Sequence, residues 1–199
     1  DDIDITNVNR QIHALLSTVG QQKVDAMKKR VLEINPECDV VALKMFYTEE
    51  TYEEFFAQKP DFIIDASDTI IYKIHLMKEC LKRGIPMISS MGAANKMDPT
   101  RFQIADISKT HTDPLAKVIR TKLRKEGIHK GIPVIFSDES PIVPKIDVTK
   151  EVGNQDAEIR KAKFPPSSNA FVPSTAGLIA ASWVVKVALK DIKLNRVND

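Results

Sequence analysis

Three charged residues combine type and setting in a way that could support chemistry. Arg10 closes a polar run, Thr6-Asn7-Val8-Asn9-Arg10. Lys23 stands where a helical pattern begins. Asp68 follows the apolar run Phe62-Ile63-Ile64. A guanidinium can grip a phosphate through two parallel hydrogen bonds. A lysine at a helix N-terminus adds a point charge where anions are already favoured. A carboxylate at the end of a buried strand can hold Mg²⁺. Gathered at one crevice, the three would suit nucleoside triphosphate chemistry. Each also has a plainer reading. Arg10 and Lys23 can be solvated surface charges. Asp68-Thr69 can be the N-cap of the next helix.

A second cluster is basic. Lys117, Arg120, Lys122, Arg124, Lys125 and Lys130 face a single acid, Glu126, a net charge of +5. Such a face suits a nucleic-acid backbone, or it is a solvated helix surface. Cys38 and Cys80 form no CxxC pair, and His13, His75, His111 and His129 are scattered. That spacing builds no metal site. Neither cysteine has an activating neighbour, so both read as structural.

These residues need elements to carry them. Val24, Met27, Val31 and Ile34 recur at helical spacing, and Asn35-Pro36 stops the helix. Asp39 to Phe46 reads as a strand. Thr48 is the expected cap of a short helix carrying Tyr52, Phe55 and Phe56. Phe62 to Ala66 reads as a strand buried on both faces, as in parallel sheets. Ile70, Ile74, Met77 and Leu81 form the next helical stripe, closed by Gly84. Ile85 to Ser90 is a further strand. This alternation predicts a doubly wound, mostly parallel α/β sheet, with ligands beyond the carboxyl ends of its strands. Asp65 and Asp68 would lie at such an end.

The second half reads differently. Arg101 to Asp106 and Val134 to Phe136 are expected strands. Asp113-Pro114 opens a helix with Leu115, Val118, Ile119 and Leu123 on its apolar face. Pro141 to Pro173 reads as a long surface excursion, and Ser174-Thr175 as the cap of a last apolar helix. The longest apolar run, Gly177 to Leu189, is too short to span a membrane and contains Lys186.

Composition sets the outer limits. The 199 residues carry 29 basic and 27 acidic side chains, a net of +2, with 43% hydrophobic residues. A polyanion partner is not demanded by that total, though a local patch can serve one. Seven glycines, 11 prolines and two cysteines exclude collagen-like, low-complexity and disulfide-scaffold chains. The same scarcity leaves little glycine for a phosphate-cradling loop. A reducing cytoplasm is the simple expectation.

Taken in order and spacing, Asp1 to Gln11, Val19-Gly20-Gln21-Gln22-Lys23, Ile34-Asn35-Pro36 and Ile64-Asp65-Ala66-Ser67-Asp68 resemble one family. It is the ATP-dependent adenylating family of ubiquitin-activating enzymes and their bacterial relatives in thiamine and molybdopterin synthesis. Asn7 to Leu15, Asn35 to Cys38, Asp98-Pro99-Thr100, Asp113 to Ala116 and Val134 to Ser137 resemble its tRNA-modifying branch. The resemblance implies a single Rossmann-like adenylating domain over residues 1–199, with 141–173 as a crossover loop. It implies that Arg10 and Lys23 contact ATP phosphates, that Asp68 binds Mg²⁺, and that Thr6, Asn7 and Thr69 line the nucleotide site. In that branch the activated carboxylate belongs to the threonine moiety of N6-threonylcarbamoyladenosine in tRNA. An acyl adenylate forms, and the neighbouring carbamoyl group closes a ring and expels AMP. The basic residues Lys117 to Lys130 become the tRNA contact.

The resemblance further implies a homodimer and no membrane, with a sulfur-transfer protein as a further partner. The competing expectation is adenylation of the C-terminus of a small sulfur-carrier protein. Activators of that kind commonly hold zinc on two CxxC pairs, which Cys38 and Cys80 cannot build. The family's leading strand, GxGG-type loop, helix and second strand are not among these residues. The expectation is therefore an N-terminally truncated domain, inactive by itself.

Overall fold

The computed structural model describes residues 1–143 and 166–192. Its centre is a four-stranded sheet. The strands are β1 (Ile63–Asp65), β2 (Met87–Ser90), β3 (Phe102–Asp106) and β4 (Pro133–Ser137), in the order β1-β2-β4-β3. β1, β2 and β4 run parallel, and β3 pairs antiparallel with β4. The α/β fold, mixed and mostly parallel, is the one the alternation predicts.

Helices α1 (Lys23–Ile34), α2 (Tyr52–Phe56), α3 (Ile70–Arg83), α4 (Pro114–Lys125) and α5 (Phe171–Ala188) complete the chain. Alternation along the strands splits the core in two. Met87, Val134 and Phe136 pack with Ile74 and Met77 of α3 and with Ile119 and Leu123 of α4. Ile88 and Ile135, one residue out of phase, pack with Val172, Ala176 and Ala180 of α5. Helices thus cover both sheet faces, which is why β2 and β4 read as continuous apolar runs.

Local signals explain several boundaries. α3 ends at Gly84, whose φ of 66° is left-handed and suits a residue without a side chain. α4 opens as its sequence dictates: the Asp113 carboxylate accepts the Ala116 N–H at 2.9 Å, and Pro114 fills the first position.

Five expectations need correction. Asp39 to Phe46 forms no strand: among the described residues no ladder includes it. The cap of α2 is Thr51, not Thr48; the Thr48 hydroxyl instead accepts the Glu50 N–H in the preceding turn. Ile64 is 48% exposed, so β1 is buried on one face only. Leu81 and Val118 also turn outward, and the buried stripe of α4 is Ala116, Ile119 and Leu123. Finally, α5 begins at Phe171, three residues before Ser174. Its cap position is Ala170, and the Asn169 side chain just before it accepts the Val172 N–H at 2.9 Å.

That earlier start makes α5 18 residues long with a mean hydropathy of 1.4, enough by length and composition to cross a membrane. Here it lies on the sheet, seated through Val172, Ala176 and Ala180. The predicted excursion 141–173 falls mostly on 144–165, outside the described residues.

Candidate functional site

A cleft of about 830 Å³ opens beyond the carboxyl ends of β1 and β2. One bank is built from Thr6, Asn9 and Arg10 together with Ile64, Ser67 and Asp68. The opposite bank holds Ser90 to Ala94, Ser167 and Ser168, and the small residues Ala176 and Gly177 of α5. Of its charged lining residues, Arg10 is cationic and Asp68 anionic.

The first bank starts from the N-terminal turn. Asp4 caps it, its carboxylate accepting the Thr6 N–H at 2.8 Å and the Thr6 hydroxyl at 2.7 Å. Those bonds hold the Asp4 carboxyl below the ordinary carboxylate range, the Thr6 hydroxyl first among the causes. The turn fixes Arg10 in place. One terminal nitrogen of its guanidinium donates to the Thr6 carbonyl at 2.8 Å and to Asn9 Oδ1 at 2.9 Å. The other two nitrogens carry no protein partner among the described residues, which leaves them available to an anion.

Asp68 lies in the turn between β1 and α3. It is exposed, and its contact among the described residues is the Thr69 hydroxyl at 3.4 Å. Thr69 itself holds the cap position of α3 without a side-chain cap bond. Asp68 is therefore not the cap, and its carboxylate is open towards the cleft. Among the described residues no three Asp, Glu, His or Cys side chains gather as a metal site. A lone carboxylate at a cleft suits a cation that takes its remaining ligands from substrate phosphates and water, as Mg²⁺ does.

The other candidates are placed differently. Lys23, the first residue of α1, pairs with Asp1 at 3.0 Å and does not line the cleft. Asn7 is buried, and its Oδ1 accepts the Asp4 N–H at 3.1 Å. Thr69 lies beside the cleft rather than on it. Of the basic cluster, Lys117, Lys122, Arg124, Lys125 and Lys130 are exposed, with no ion pair among the described residues. Arg120 is half-buried and bonds the Thr110 carbonyl at 2.8 Å, so it braces the fold. Glu126 pairs with Lys78, so the five exposed cations of this face are not offset by it.

Sequence reasoning missed the second bank. Asn95, at a left-handed φ of 58°, organises it. Its N–H donates to the Ser167 carbonyl, and its side chain accepts from the Ser167 N–H and hydroxyl, each at 2.8 Å. Its carbonyl accepts the Ile142 N–H at 2.7 Å. Asn9 crosses to this bank and donates to the Ser168 carbonyl at 3.0 Å. An asparagine is one of the few side chains at ease at such a φ, but nothing local foretells its distant partners. Cys80 is buried, and burial pushes its thiol up to about 12. It carries no thiolate at neutral pH.

The chain is similar to known proteins along nearly its whole length. A family profile described as the ThiF family matches residues 1–198. The chain is 77% identical over 199 residues to the tRNA threonylcarbamoyladenosine dehydratase of Bacillus subtilis (strain 168), covering 100% of this chain and 78% of that one. It superposes on the E. coli tRNA N6-threonylcarbamoyladenosine dehydratase, TcdA, in complex with AMP. The TM-score is 0.83 at 31% identity, covering 96% of this chain and 74% of that one. The ATP complex of the same enzyme matches with a TM-score of 0.82, at 31% identity over 96% and 73% of the two chains.

Proposed function

From a chain that belongs to the ThiF family, we propose an enzyme that uses ATP to dehydrate N6-threonylcarbamoyladenosine in tRNA. The observation that carries the reading is the cleft itself. A tethered guanidinium with free donors and an open carboxylate sit together beyond the carboxyl ends of β1 and β2. TcdA of E. coli, similar across 96% of this chain, is a dehydratase with structures in complex with AMP and with ATP.

Arg10 binds the polyphosphate and offsets its charge as the carboxylate oxygen of the threonine moiety attacks the α-phosphorus. Pyrophosphate leaves, and the carboxylate becomes an acyl adenylate. The carbamoyl group of the same side chain then attacks the acyl carbon, closes a five-membered ring and expels AMP. Ring closure needs no enzyme nucleophile, because the two groups are already joined. The high Cys80 pKa accords with that economy. Asp68 is the residue to hold Mg²⁺, which when bound neutralises charge on the pyrophosphate leaving group. Lys23 joins the phosphates by leaving Asp1, and an exposed pair of that kind costs only about 0–1 kcal/mol to break. Thr6 lines the nucleotide bank, while Asn7 and Thr69 shape the turns on either side. The exposed lysines and Arg124 contact the tRNA backbone.

In this reading residues 1–199 belong to one adenylating domain, in a cytoplasmic homodimer, with a sulfur-transfer protein as a further partner. The test is AMP release from ATP by the full-length protein, with and without tRNA bearing threonylcarbamoyladenosine. AMP formation that depends on that tRNA supports the reading. Pyrophosphate exchange that requires a small sulfur-carrier protein instead would replace it.

A further inference from the structure

The buried pair of Lys73 and Asp65 has no place in the chemistry above, yet it bonds Ser67, the residue before Asp68. Both side chains are almost wholly out of water, and Lys73 Nζ donates to Asp65 Oδ2 at 2.7 Å. A buried ion pair is poor evidence for a stabilising role, since apolar side chains can fill the same volume. The remaining bonds show what it is arranged around. Asp65 Oδ1 accepts the Ser67 N–H at 3.0 Å and the Ser67 hydroxyl at 2.7 Å. Lys73 Nζ donates to the Ser67 carbonyl at 2.9 Å. Every polar group of Ser67 is thus held by one member of the pair. The next residue is Asp68, whose own carboxylate meets, among the described residues, only the Thr69 hydroxyl.

The bracket is anchored on three elements. Asp65 ends β1. Lys73 sits in the first turn of α3, its N–H bonded to the Thr69 carbonyl at 3.0 Å. Ser89 of β2, in register with Asp65, donates its hydroxyl to Asp65 Oδ2 at 2.7 Å. A backbone held at the residue before a metal ligand fixes where the carboxylate can go, and pre-set geometry is what an outer layer of hydrogen bonds supplies to a metal site.

We propose that Lys73 is a positioning residue: with Asp65 it clamps Ser67 and so presets the Asp68 carboxylate for a divalent cation carried by ATP. The inference rests on the nucleotide reading of the cleft. Its test is ATP binding by the full chain, titrated at a series of Mg²⁺ concentrations. Wild type binds ATP more tightly as Mg²⁺ rises. Lys73→Met raises the half-effective Mg²⁺ concentration about tenfold and leaves Mg²⁺-free ATP affinity unchanged. Lys73→Arg, which keeps the charge, restores most of that shift. Ser67→Ala, at an exposed residue and so safe for folding, shifts it about threefold. Ser89→Ala removes a bond from the same Asp65 carboxylate but none from Ser67; it lowers the melting temperature and leaves the Mg²⁺ dependence within twofold. A Mg²⁺ dependence unmoved by Lys73→Met and Ser67→Ala, or moved equally by Ser89→Ala, would overturn the proposal and leave the nucleotide reading standing. A wild-type chain whose ATP binding ignores Mg²⁺ would also overturn the proposal alone, whereas one that binds no ATP would overturn both.

Discussion

Lys73 and Lys96 are each buried against an aspartate, at 2.7 and 2.9 Å, and each pair is almost wholly dry. Their surroundings differ. Around the first pair the bonds converge on one residue beside the cleft: Ser67 donates its N–H and hydroxyl to Asp65 and accepts from Lys73. Around Lys96 the bonds spread outward. Its amine reaches Asp113 and, at 3.3 Å, the Ser137 carbonyl, while Asp113 also caps α4. Gly92, on the cleft wall, packs close to this joint: a Cβ there would stand 3.2 Å from the Asp113 carboxylate, a tight contact. The first pair holds a point, and the second joins β4, α4 and the loop after β2. Equal burial therefore does not mean equal use. The partners of the partners distinguish a local brace from a joint between elements.

The contrast breaks first at the joint. Lys96→Met strands the Asp113 carboxylate in a dry site, and losing one member of a buried pair costs about 3–5 kcal/mol. Urea unfolding is expected to show that loss, with ATP affinity per folded molecule retained. Asp68→Ala is the opposite case. Its carboxylate is exposed, so the melting temperature should hold, while tRNA-dependent AMP release falls about 100- to 1,000-fold, the scale of losing one transition-state stabilising group. Loss of fold in Asp68→Ala would mean that this turn bears structural load.

The basic face gives a smaller effect. Replacing Lys122, Arg124 and Lys125 together by Gln should lower the slope of log affinity for tRNA against log salt by about 2, at roughly 0.7–0.9 per phosphate contact. An unchanged slope would move the tRNA contact elsewhere.

The gentlest probe is Cys80, whose thiol is raised to about 12 by burial first and then by the Asp65 charge. Cys38 is half-buried and should alkylate promptly in the native protein, whereas Cys80 should react only on unfolding. Because the folded value exceeds the ordinary 9.0, the stability Cys80 contributes is complete below pH 9 and fades as pH rises towards 12. Denaturation followed across that window checks the sign.

What the sequence disclosed depended on how far each signal reached. The Asp113-Pro114 cap and the Gly84 terminus act within one turn and were legible. So were β2 and β4, whose unbroken apolar runs reflect burial on two faces. Asp39 to Phe46 has the composition of a strand but joins no ladder among the described residues, and composition does not report pairing. Arg10 and Asp68 could be nominated by type and setting. The placement of Lys23 beside Asp1, the Lys73 bracket and the Asn95 contacts arise from packing between distant segments, which no local pattern encodes.

Asn95 has one further consequence. Ile142 and Ser167, 25 positions apart, are fastened to this single residue, so the chain between them starts and finishes at the same place. One residue thus sets where both described ends of that stretch stand, and a change at Asn95 would be felt at Ser167 on the cleft wall.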